Sequence, residues 1–445
     1  MSFNRYLPFL LLSLDTGLVP VTAHEHQTEG IPEGEAVSPD PLDSILWIHI
    51  FTMIAAFGMV FPFGMVLGLV RSRWHVPVQV LGTALAVLGW LLGHAHKGRQ
   101  FAPNIHAAVA SPLMSMLALQ VGLGTYLKLH LEKGWHGLAR WYLVRLHGIV
   151  GKVMPVVSWT QMLFGGITAM GFCRADHQGQ CLAHFIMGSS FIGYGVIMVV
   201  MLFAGQAWLK RTGRSQEFWD SLVITVWVTE HRWGQEWAHN DIQHTSMGVV
   251  WWCAGLLGLW LSWGKNKQPK RNLIPGIVIF LTGYAMSAHP QQLPLSTMVH
   301  SVFGYTLMAA GLARVIEIAF VLRDKPALGG GPSSFQHLTP FLLFASGFIF
   351  MCATEEQLAL VSSVGIDHVS YLLVLYSVSS LMYLFTMVLV HTYVSNPGGA
   401  EKAPPAVPAE RGMNGRADRR VHDAEEFELE GLISEDEDEG DDKPE

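Results

Sequence analysis

The sequence predicts an all-α polytopic membrane protein with about ten transmembrane helices, arranged as two five-helix repeats. Three observations carry this reading. Half of the 445 residues are hydrophobic and only 14% are charged, against roughly 25% in soluble proteins. Ten stretches approach or exceed the roughly 20 apolar residues that a spanning helix needs. Lys and Arg gather in alternate loops, as they do on the cytosolic side of a membrane.

Taken in chain order, residues 1–23 read as a secretory signal peptide. Arg5 precedes an apolar run from Leu7 to Leu14 and a small-residue cleavage site at Val21, Thr22 and Ala23. Residues 24–43 form a polar lumenal linker. Cleavage after Ala23 would leave a free amine beside His24 and His26, a donor set suited to Cu(II). Those two histidines are candidate metal ligands, although a polar linker also simply solvates them.

The expected spans are Ile45–Val70, Val76–His94, Ile105–Leu129, Val144–Met170, Leu182–Leu209, Thr245–Trp263, Leu273–Ala288, Ser296–Leu322, Thr339–Leu360 and Asp367–Val394. Arg71 and Arg73 follow the first. Lys128, Lys133, Arg140 and Arg145 surround the loop after the third, and Lys210, Arg211 and Arg214 follow the fifth. All three sets share one side if the N-terminus is lumenal. Cys173 and Cys181 then fall in an oxidising lumen, where a disulfide is favoured. Residues 211–243 read as an interfacial or re-entrant connector, and its crossing or re-entry would return Lys265, Lys267, Lys270 and Arg271 to the cytosol. The stretch from Thr229 to Trp237, dense in Trp and charge, belongs at the interface. Residues 396–445 read as a disordered tail, with thirteen acidic residues and one Lys from Asp423 onward. Glu428 to Ile433 in it resembles an acidic di-leucine sorting signal, so a sorting adaptor is a candidate partner. Nothing in the sequence points to nucleic acid.

Histidine inside a bilayer is costly and marks function. His49 and His106 lie at the outer starts of the first and third spans, and His75 and His147 at the inner starts of the second and fourth. Two tiers of paired imidazoles, one per leaflet, are what two stacked b-type haems require of their axial ligands. A proton or metal relay uses the same spacing, so both readings stand at this level. Elsewhere, Arg314 and Glu317 can pair on one helix face. Glu355 and Glu356 suit either proton uptake or a solvated rim.

The surrounding residues resemble the transmembrane cytochrome b-561 family. His49 is followed by Pro62-Phe-Gly64 and Arg71, His75 by Gln79, His106 by Gln120, and His147 by Gly151 and Lys152. The resemblance implies a four-helix core over residues 44–210 that holds two haem b groups, on His49 with His106 and on His75 with His147. It further implies single-electron transfer across the membrane, as in a ferric, cupric or ascorbate-linked reductase. Beyond Lys152 and the inner arginines no donor-site signature is present.

An internal repeat is also legible. His49 to His106 spans 57 residues and His244 to His300 spans 56. The second copy, within residues 244–395, has no counterpart of His75, so it could hold at most one haem, on His244 and His300; a decayed repeat kept for packing is the alternative. Blocks such as Asp241 to Gly248, Thr282 to His289, Ser334 to Leu338 and Ala353 to Gln357 resemble a fungal integral membrane family of the Ytp type, whose activity is unsettled. Three functions therefore stand as expectations: a haem-bearing electron carrier, a relay or transporter of protons or divalent metal through intramembrane His and Glu, and a non-catalytic scaffold. Each would sit in the secretory pathway, in a vacuolar, endosomal or plasma membrane.

Overall fold

A computed structural model describes residues 30–131, 133–174, 177–227, 239–263, 269–289, 291–323, 325 and 331–396. The signal segment, His24 and His26, the Thr229–Trp237 stretch, Lys265, Lys267 and the acidic tail lie outside the described residues.

The chain runs α1 (Ser44–Leu69), α2 (His75–Ala95), α3 (Ile105–Lys128), α4 (Trp135–Met170), α5 (Gln178–Phe203), α6 (Gln206–Thr212), α7 (Gln216–Val226), α8 (His239–Leu261), α9 (Ile274–Ser287), α10 (Pro294–Leu322), α11 (Leu338–Met351), α12 (Glu355–Ser363) and α13 (His368–Val394). Every expected span falls on helix. Among the described residues, eight helices are long and apolar enough to cross a membrane: α1 to α5, α10, α13, and the unit Ser334–Met351 that joins a 3-10 turn to α11. The chain is thus an all-α polytopic membrane protein. Among the described residues the only extended pairing is an isolated bridge between Val37 and Phe101.

The helix starts follow from local chemistry. Asp43, Asn104, Ser215, Thr354 and Asp367 accept hydrogen bonds from first-turn N–H groups that have no helical partner. Pro275 and Pro294 stand in first turns, where no N–H is missed. The expected span Thr339–Leu360 is instead two helices. α11 ends at Met351, and Thr354 with Gln357 forms a capping box that starts α12. The fourth span begins earlier than its apolar run: α4 starts at Trp135, and His147 lies well inside it. The interruption at Ile54–Val60 in α1 is a π-turn, which inserts an extra residue into the helical register.

Packing is uneven. In the spanning windows of α2, α3 and α4 only 17% of residues are buried, against 50% in α10 and 61% in Ser334–Met351. The dense core therefore lies in the second half, around Phe303, Leu307, Leu343 and Ile349. Small residues let its backbones touch, as between membrane helices generally. A methyl on Gly283 would meet Gly304 O at 2.6 Å, closing α9 onto α10. One on Gly188 would meet Gly347 O at 2.6 Å, closing α5 onto α11. Cys173 and Cys181 form a disulfide, with Cα atoms 5.3 Å apart, between α4 and α5.

Candidate functional site

The first four helices bring the expected histidines together in two pairs. The ring centres of His49 on α1 and His106 on α3 are 6.3 Å apart, with planes at 82°. Those of His75 on α2 and His147 on α4 are 6.4 Å apart, at 88°. All four rings are half-buried.

Each ring is held by the helix it leans on. His49 Nδ1 donates to the Gly89 carbonyl of α2 at 2.6 Å, and His75 Nδ1 donates to the Gly64 carbonyl of α1 at 2.7 Å. His106 Nδ1 donates to the Gln161 carbonyl of α4 at 3.1 Å. A carbonyl only accepts, so these three Nδ1 atoms carry the proton and leave Nε2 with its lone pair, the form that binds metals. His147 Nδ1 is buried without a hydrogen bond of normal geometry. Two glutamines tie α3 to α4 reciprocally: Gln161 Nε2 donates to His106 O at 2.8 Å, and Gln120 Nε2 to His147 O at 3.0 Å. Under each imidazole lies a glycine. A methyl on Gly93 would meet His49 at 2.8 Å, on Gly68 His75 at 2.8 Å, on Gly165 His106 at 3.1 Å, and on Gly124 His147 at 3.3 Å.

These supports form a pattern that the reading of the histidines alone missed. His75, Gly89 and Gly93 on α2 repeat as His106, Gln120 and Gly124 on α3, and as His147, Gln161 and Gly165 on α4, with identical spacing. On α1 the set is His49, Gly64 and Gly68, longer by one residue. The π-turn at Ile54–Val60 lies in that interval and absorbs the extra residue. A fourteen-residue interval rises about 21 Å in a helix, which sets the distance between tiers.

The spacing can be tested against a shared metal. An imidazole nitrogen lies about 2 Å from a metal it ligates and ~1.1 Å from its own ring centre, so rings on opposite sides of one ion have centres about 6.2 Å apart. Both pairs meet this figure, and three Nδ1 anchors supply the outer-shell support that ligating histidines use. Each pair is thus spaced as two imidazoles sharing one metal ion would be.

The tier of His49 and His106 lies under a laced cap. Ser38 N donates to Gln100 O, and Ala102 N to Ala36 O. Arg99 reaches Asp40 O and Ala169 O, both at 2.9 Å, and Arg174 pairs with Glu35. The Asp43 carboxylate accepts from Lys97 N and Leu46 N, which holds its pKa below the usual 3.8. At the other end Arg140 is buried and donates to Leu127 O at 3.0 Å, and Arg145 lies over the Trp141 ring at 3.6 Å.

The second half departs from expectation. His244 does not face His300. His300 faces His184 of α5, with ring centres 5.6 Å apart and Nε2 atoms 3.3 Å apart. His244 faces His289, with centres 5.5 Å apart. Opposed ligands of one ion need nitrogens about 4 Å apart, and the 3.3 Å between His184 and His300 is shorter than that. The equal spacing of the two copies thus does not carry over into equal pairing. Arg314 and Glu317 do pair, at 2.8 Å, and join a larger network. Glu217 of α7, fully buried, bridges Arg271 and Arg314 at 2.6 Å each. Glu355 and Glu356 stand at the rim beside the disulfide, where Glu355 meets His177 at 3.3 Å and Glu356 accepts from Cys173 N.

Two family models match the chain. The one described as "Protein YTP1-like, C-terminal" matches residues 157–394, and a domain of unknown function, DUF2427, matches residues 29–130. The chain is 42% identical to "Protein YTP1" of Saccharomyces cerevisiae over 255 residues, 56% of this chain and 54% of that protein. It is thus matched to only about half the length of that relative. It is 22% identical to "Uncharacterized membrane protein C3B8.06" of Schizosaccharomyces pombe, over 75% of this chain and 90% of that protein. No solved structure matches the chain.

Proposed function

The chain belongs to the YTP1-like family of membrane proteins, and on that premise we propose that it is a b-type haem protein that passes single electrons across its membrane. His49 and His106 hold the haem nearer the disulfide side, and His75 and His147 hold the other. The observation that carries this reading is the pair of ring separations, 6.3 and 6.4 Å, each fitted to one iron between two imidazoles. The resemblance of residues 44–210 to the cytochrome b-561 family supports it. When bound, each haem supplies a one-electron couple whose potential its axial ligands help to set.

The chain's own residues do the rest. The Gly89, Gly64 and Gln161 carbonyls fix the tautomer of His49, His75 and His106 and leave each of those Nε2 atoms its lone pair. Gly93, Gly68, Gly165 and Gly124 give the rings room to lie against the helices. The cap built on Asp43 and Arg99 limits water above the first tier. The membrane is proposed to be one of the secretory pathway, vacuolar, endosomal or plasma.

The reduced-minus-oxidised visible spectrum of the detergent-purified chain tests this. The wild-type chain is expected to give a b-type spectrum, and His106→Ala to lose about half the haem while the remainder stays reducible. Unchanged haem content in His106→Ala rejects the assignment.

A further inference from the structure

His184 and His300 form a second kind of histidine pair, unlike the two tiers. Both are buried, at 7% and 3% exposure. His184 Nδ1 donates to Gln180 O at 2.8 Å, and His300 Nδ1 donates to Ser296 O at 2.9 Å, each to the preceding turn of its own helix. Since carbonyls only accept, both Nδ1 atoms carry the proton. Both Nε2 atoms then present lone pairs to each other across 3.3 Å. Two facing lone pairs with no hydrogen between them repel, and burial away from water strengthens the repulsion. A cation shared by the two nitrogens removes the conflict.

The distance says which cation. Nitrogens each about 2.0 Å from one ion, and separated by a tetrahedral angle, lie about 3.3 Å apart. The nitrogens stand at that separation, short of the roughly 4 Å of ligands on opposite sides of one ion, and the ring centres, 5.6 Å apart against about 5.1 Å for that angle, must tilt inward to bring both lone pairs onto the ion. The outer shell is in place too, because each ligand's other nitrogen is fixed on a carbonyl. Phe350 stacks on His184 at 4.3 Å and 18°, holding the ring in plane. Exposed His244 and half-buried His289, with ring centres 5.5 Å apart, form a further histidine pair close to His184. The pair sits at the end of α5 nearer the Cys173–Cys181 disulfide.

We propose that His184 and His300 bind a tetrahedral divalent first-row metal ion, of the zinc or copper class, with two positions left open to water or to an incoming ligand. Imidazole nitrogen suits these ions. The site is independent of the haem tiers, which lie on α1 to α4.

Zinc binding to the purified full chain, followed by equilibrium dialysis with metal analysis, tests the proposal. To remove the linker histidines from the count, the background carries His24→Ala and His26→Ala. One tight zinc per chain is expected, weakened at least tenfold by either His184→Ala or His300→Ala, with unaltered haem content. Cobalt in the same site should give a tetrahedral visible band that both variants lose. Because removal of a buried imidazole can disturb packing, His300→Cys is the second variant; it should keep the ion and add a thiolate-to-cobalt charge-transfer band. Equal zinc affinity in the parent and both alanine variants overturns the proposal. So does absence of zinc uptake by the parent, which leaves a shared proton as the bridge.

Discussion

At Gly93 and Gly68 a single added methyl would meet the rings of His49 and His75 at 2.8 Å. Neither ring can yield freely, since its Nδ1 is fixed on a backbone carbonyl. Gly68→Val is therefore expected to empty the tier of His75 and His147 and spare the other. Haem content per chain should fall by about half, with the residual spectrum matching that of His147→Ala. The near-perpendicular ring planes make a further prediction. Crossed axial imidazoles leave the two iron orbitals of π symmetry nearly degenerate, so the oxidised protein should show strongly anisotropic low-spin electron paramagnetic resonance signals. The four paired histidines were legible in the sequence because an imidazole in an apolar run stands out. Of their supports only Gly64 and Gln120 were singled out, through the family resemblance; Gly89, Gln161 and the glycines under the rings are unremarkable until the common spacing from each histidine is noticed. Glu217 was missed for a related reason. It looks like any first-turn acid, and only the fold shows that it answers two buried guanidinium groups. Glu217→Ala would leave Arg271 and Arg314 without a shared carboxylate. Breaking a buried pair in this way costs about 3–5 kcal/mol, which thermal unfolding in detergent should register as a large drop in Tm.

At the scale of the element, the π-turn of α1 keeps His49 in step with Gly64. Deleting Ala55 should convert the turn to α-helix with the fourteen-residue interval of the other three helices and keep both tiers, whereas one alanine inserted after Ala55 should swing the N-terminal part of α1, with His49, by about 100° relative to Gly64. Loss of the His49 tier alone is expected from the insertion, read as half the haem with His75 and His147 still reducible. Helix starts were only partly legible. α4 begins at Trp135, ahead of its apolar run, because a buried hydrogen bond to Leu127 O accommodates Arg140. The break between α11 and α12 was hidden because Thr354 and Gln357 lie among residues that read as one apolar span. The caps also have a pH signature. The N–H groups of Lys97 and Leu46 hold Asp43 below 3.8, and Ser370, through its hydroxyl and then its N–H, does the same for Asp367. A carboxyl depressed in the folded state contributes stability above its unfolded pKa and loses it as pH falls through the folded value. Asp43→Asn should therefore remove that contribution at neutral pH, leave stability at low pH little changed, and so flatten the acid limb of the profile below about pH 4.

For the whole molecule, depletion of charge and the lengths of the apolar runs were enough to read the all-α membrane class, since only helices and closed barrels satisfy the backbone within lipid. Pairing across helices was not readable in the second half, because equal spacing of His244 and His300 says nothing about which neighbour each ring meets: His300 meets His184 of α5 and His244 meets His289. The result is a molecule in two characters. Four loosely buried helices carry two matched histidine tiers, and a dense bundle carries a close histidine pair at one end and a buried ion-pair network. The haem-to-protein ratio of the purified full chain, measured as the pyridine haemochromogen, tests the central claim most directly. Two haems per chain are predicted, falling to one when His106 is replaced by Ala and to none when His147 is replaced as well. A folded, disulfide-bonded chain isolated from haem-replete cells with no haem would contradict the account.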